Sequence, residues 1–175
     1  MIYDITSGKP SLDDKHIFIE NTDRLPSAFI SDNCSKDFIL KETNKMSFEE
    51  RKQYFKDLGA AIEADDRTYR CMKGRLDDAV ELALKRIDWN FKTAIPMYFP
   101  TNNKMSLLLP LALVNDDKVD VALVVERMPS GNYLGHTILP LSWAYSNARL
   151  VTRPDSGWLV AEDIEIRIAE EETEL

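Results

Sequence analysis

A chain of 175 residues, 44% hydrophobic and 30% charged, has the composition of an ordinary soluble globular protein that buries roughly 70% of its unfolded surface. No apolar run approaches the ~20 residues needed to span a bilayer, and MIYDITSGKP lacks the basic start and apolar centre of a signal peptide. Of the net charge of −8, residues 161–175 carry −6 (seven acids against Arg167), so the near-neutral body excludes a wide nucleic-acid footprint but not a phosphate-bearing ligand in a local basic pocket.

Residues 1–45 are irregular: His16-Ile17-Phe18-Ile19 and Ala28-Phe29-Ile30 are short apolar runs among Asp, Asn, Ser and Pro, which reads as two or three short strands or an ordered arm. Ser47 and Glu50 form the S-x-x-E pattern of a capping box, so a helix starts there, with Phe48, Tyr54-Phe55, Leu58 and Ile62 near helical spacing. Gly59 weakens it by about 1 kcal/mol relative to Ala, and Asp65-Asp66 mark its end or a break. In a second helix Leu76, Val80, Leu84 and Ile87 line one face.

Ala94 to Phe99 is extended, and Pro96 belongs on an edge because it cannot donate to a ladder. Met105 to Val114 is almost wholly apolar, which predicts burial on both faces apart from a kink at Pro110. Lys118 to Arg127 follows an Asn115-Asp116-Asp117 turn, and Tyr133 to Leu139 follows a Pro129-Ser130-Gly131-Asn132 turn. These short connections predict an antiparallel meander. Pro140 suits the first turn of a helix ending near Leu150, Thr152 to Gly157 reads as a loop, and Ile164, Ile166 and Ile168 alternate as a final half-exposed strand. Residues 169–175 are an acidic tail, read as a solvated end or as a surface that docks a partner.

The expected fold is α+β: an antiparallel meander sheet of about four to six strands, two helices before it and one short helix after it, in a single domain spanning 1–175. Cys34 and Cys71 lack metal-ligand spacing, and His16 and His136 lie far from both in sequence. Reduced thiols in a cytoplasm are therefore expected, with no membrane, no metal site and no cofactor. The oligomeric state is not written in the sequence.

WNFKTAIPMYFP, LLLPLALVNDDKVDVALVVE and above all GNYLGHTILPLSWAYSNARLVTRPDSGWL resemble the C-terminal part of a bacterial domain family, domain of unknown function 3825, over about Leu76 to Leu159. Some members of that family are fused to small RNA-binding modules of the cold-shock or LOTUS type. The resemblance therefore implies work near RNA in stress or phage-conflict settings.

The candidate residues crowd into the same stretch. Arg149 and Arg153 are placed to grip a phosphate or carboxylate, or else Arg149 neutralises a helix end while Arg153 pairs with Asp155. Tyr145 and Trp158 offer a stacking surface or cover the core, and Asn147 offers hydrogen bonds to a base edge. His136 is a candidate general base, with Glu126 or Asp155 to orient it. No G-x-S-x-G, P-loop, G-x-G-x-x-G or H-E-x-x-H occurs. The leading expectation is a binding module for RNA, nucleotide or another phosphate-bearing ligand. The alternatives are a phosphodiesterase- or nuclease-like hydrolase using His136, and a protein-protein interaction module.

Overall fold

The N-terminal runs pair their apolar residues at adjacent positions rather than alternating them, and this suits a helical face. A computed structural model describes residues 1–35, 40–154, 157–162 and 164. In it, His16–Glu20 is a π-helical turn and Ala28-Phe29-Ile30 lies in α1 (Ser27–Asn33), which corrects the expectation of short strands there. Among the described residues of the arm the one strand is β1 (Ser11–Leu12). Ile17, Phe18, Phe29 and Ile30 are buried, and that burial orders the segment.

The capping box forms in full. Glu50 N donates to Ser47 Oγ at 3.3 Å, Ser47 N donates to Glu50 Oε2 at 2.8 Å, and α2 (Phe48–Ala64) begins. Asp65 is extended, ends α2, and accepts from Arg67 N and Thr68 Oγ1 at the start of α3 (Asp66–Trp89). Gly59 marks the close passage of α2 over the π-helical turn: a Cβ there would stand 2.5 Å from Ile19 O.

The sheet follows: β2 (Ile95–Phe99), β3 (Lys104–Leu111), β4 (Val121–Arg127) and β5 (Tyr133–Pro140), then α4 (Leu141–Ala148). The spatial order is β1-β5-β4-β3-β2, an antiparallel meander with β1 added parallel to β5, so the fold is α+β as expected. Pro96 does sit on the edge strand. Ile95, at the start of β2, pairs with Leu108, so the pairing with β2 does not reach Pro110, which is paired to β4 alone. The apolar continuity of β3 and β4 reflects a core on each face. Leu107, Leu109, Val121, Leu123 and Val125 face α3 and the arm, while Leu108, Ala122 and Val124 face α4.

The acidic β3–β4 turn is held by its own side chains. Asp120 Oδ2 accepts from Leu113 N and Val114 N at 2.8 and 2.9 Å, and Arg75 donates to Asp116 Oδ1 at 2.9 Å. Gly131 has φ 91°, the left-handed geometry the β4–β5 turn needs. After Leu159, residues Ala161, Glu162 and Ile164 are helical rather than extended. Ile164 still finds its apolar contact, against the cluster under α4, so the alternation expected of a strand does not decide the backbone. Ile166, Ile168 and the acidic tail lie outside the described residues. No helix among the described residues is long and apolar enough to cross a membrane.

Candidate functional site

At the end of α3 the chain must turn sharply into β2. Asn90 makes that turn possible: its side chain accepts from Lys92 N at 3.1 Å, and its carbonyl accepts from Thr93 N at 2.9 Å. A single 3-10 turn, Phe91–Thr93, results, with Phe91 and Lys92 both exposed. Across from it, α4 ends on Val151 N and Thr152 N, which both donate to Ala148 O at 3.0 Å, and the chain continues through Thr152, Arg153 and Pro154. Trp158 ties the two segments together, its indole Nε1 donating to Thr93 O at 2.8 Å.

Between these segments, and bordered on a third side by Met1 and Ile2, is a half-open cavity of about 270 Å³. Phe91, Ala94, Ile95, Pro96 and Pro154 make much of its wall, Lys92 and Arg153 are its basic residues, Thr152 supplies a hydroxyl, and no carboxylate residue lines it among the described residues. An apolar recess with a few convergent polar groups is the usual form of a small-ligand site. Two basic residues in the wall of one concave space make an anion the ligand class to test there.

Of the candidates singled out in the sequence, Arg153 lines this cavity. Arg149 is exposed beyond the last turn of α4 and is not part of its wall. Tyr145 and Trp158 are half-buried against the cluster under α4, so Trp158 braces the cavity rather than lining it. Asn147 is half-buried on α4, again outside the wall. Asp155 lies outside the described residues. Phe91 and Lys92 carry no motif, and the local signal for them is an asparagine before a short aromatic-basic pair and an edge-strand proline.

A second constellation lies on the sheet. Ladder pairing passes from Val124↔Thr137 to Val125↔Gly135, so His136 is the extra residue of a β-bulge. Bulges re-aim a side chain, and His136 Nε2 reaches Glu126 Oε2 at 2.9 Å. Lys104 Nζ meets the other oxygen, Glu126 Oε1, at 2.7 Å. The Lys104 hydrogen bond, together with that from His136, holds the Glu126 carboxyl below its ordinary range against the opposing effect of partial burial. Beside the bulge, Gly135 packs closely under β1: a Cβ there would stand 2.8 Å from Leu12 Cδ2, the movable end of that side chain. His136 is 40% exposed and none of the three residues lines the cavity. Among the described residues no three His, Cys, Asp or Glu side chains converge as a metal-ligand set.

No curated protein and no solved structure matches the chain. A family model for a domain of unknown function, DUF3825, matches residues 1–158, and so reaches well ahead of the Leu76–Leu159 stretch in which the resemblance is legible. The chain belongs to that family.

Proposed function

We propose that the chain is a binding module for a phosphate-bearing ligand, RNA or nucleotide, held at the cavity between the Phe91–Thr93 turn and the Thr152–Pro154 segment. The observation that carries this reading is the presence of Lys92 and Arg153, from segments far apart in sequence, in the wall of one recess that no carboxylate lines among the described residues. Arg153 presents a planar fork to phosphate oxygens and Lys92 a point charge. The test is to purify the chain and its Lys92→Ala/Arg153→Ala variant from the host and compare absorbance ratio and bound small molecules by mass spectrometry. Nucleotide or RNA carried by the wild type and lost in the variant supports the reading. The same cargo on both proteins contradicts it.

The 2.9 Å contact of His136 with Glu126 supports a second reading, a hydrolase in which His136 is the general base. Glu126 accepts the Nε2 proton, which leaves Nδ1 to take a proton from an attacking water. Phosphodiester cleavage that survives His136→Ala unchanged would remove it.

A further inference from the structure

We propose that the cavity takes one nucleoside monophosphate unit, with its base on Phe91 and its phosphate between Lys92 and Arg153; this rests on the phosphate-binding reading above. Three observations converge. The volume of about 270 Å³ lies just under the roughly 300–1,000 Å³ of drug-sized ligand pockets, so it suits a single unit and not a track of several. Phe91 is 56% exposed although it lines a recess, so its ring surface is available to a flat partner rather than spent on the core. Thr152 places a hydroxyl, both donor and acceptor, in the same wall, and a base edge uses both capacities where a bare phenyl ring uses neither.

The cations and the aromatic ring are also linked mechanically. Lys92 follows Phe91 directly, and the Asn90 cap fixes both. Arg153 comes from the opposite wall, and the Trp158–Thr93 hydrogen bond sets the spacing of the two walls. A ligand that is apolar and flat at one end and anionic at the other matches this division. A free nucleotide and the terminal nucleotide of a strand share that chemistry.

The experiment is calorimetric titration of the full chain with adenosine 5′-monophosphate, ribose 5-phosphate, O-phosphotyrosine and 5′-phosphorylated oligoadenylates of two lengths. Adenosine monophosphate should bind about tenfold or more tighter than ribose 5-phosphate, the size of one base-aromatic stacking contact. Phe91→Ala and Phe91→Leu should both erase that difference. Weaker binding of both oligomers than of the mononucleotide assigns the site to free nucleotide, and equal or tighter but length-independent oligomer binding assigns it to a strand end. Affinity that climbs with oligomer length overturns the single-unit site, as does phosphotyrosine binding as tightly as the mononucleotide. Equal binding of adenosine monophosphate and ribose 5-phosphate overturns the base contact while sparing phosphate recognition. Failure of every phosphate compound to bind overturns both.

Discussion

Trp158→Phe separates two roles that the sequence leaves open for this residue. If Trp158 were a stacking surface, phenylalanine would preserve its aromatic face and change little. In the structure its Nε1 donates to Thr93 O at 2.8 Å and its ring packs half-buried against the cluster of Leu108, Ala122 and Leu159. Phenylalanine removes the donor and leaves a partly buried carbonyl without its partner. A net hydrogen bond contributes about 0.5–1.5 kcal/mol, and orphaning a buried acceptor costs about 1–3 kcal/mol. Because Thr93 is only partly buried, the expected loss is about 1–2 kcal/mol. For a chain of this size that corresponds to a fall in Tm of about 2–8 °C by calorimetry or circular dichroism. The two cavity walls also lose their tie, so binding of a phosphate compound should weaken with it. An unchanged Tm would refute the bracing role, whatever happens to binding.

Gly59→Ala should destabilise the protein by about 1–3 kcal/mol in urea denaturation, because the added Cβ would meet Ile19 O at 2.5 Å and Thr22 Oγ1 at 2.9 Å. Helix propensity alone predicts a gain of about 1 kcal/mol, so a stabilised variant would show that the close passage over the π-helical turn is absent. Glu126, held below its ordinary value of 4.5, contributes stability that is present above the unfolded-state value and lost as pH falls through the lower folded value. The Tm gap between wild type and Glu126→Gln should therefore close on going from pH 6 into the acid range. A gap independent of pH would contradict the Lys104–Glu126–His136 arrangement.

The helices and the meander are legible because their signals are local. Ser47 and Glu50 sit at capping-box spacing, Leu76, Val80 and Ile87 fall on one face, and the turns at Asn115 and Gly131 carry their own geometry. The arm is not legible, since Ile17-Phe18 and Phe29-Ile30 take helical form through burial against elements distant in sequence. His136 and Glu126 are recognisable as neighbours because a short hairpin constrains cross-strand position, but no local signal marks the bulge at His136 that brings their atoms together. At the cavity, Arg153 stands out in a polar, aromatic-rich stretch. Lys92 does not, because nothing local tells that the end of α3 and the end of α4 close on the same space.

In the proposed arrangement Lys92 and Arg153, and not Arg149, form the anion site. The most direct test titrates adenosine 5′-monophosphate into wild type, Lys92→Ala/Arg153→Ala and Arg149→Ala under one salt condition. Loss of about tenfold or more in the double variant, with Arg149→Ala close to wild type and all three equally stable, is the predicted result; one lost charged contact alone corresponds to about 1.5–3 kcal/mol. Binding that survives in the double variant, or that falls with Arg149→Ala instead, would contradict the site.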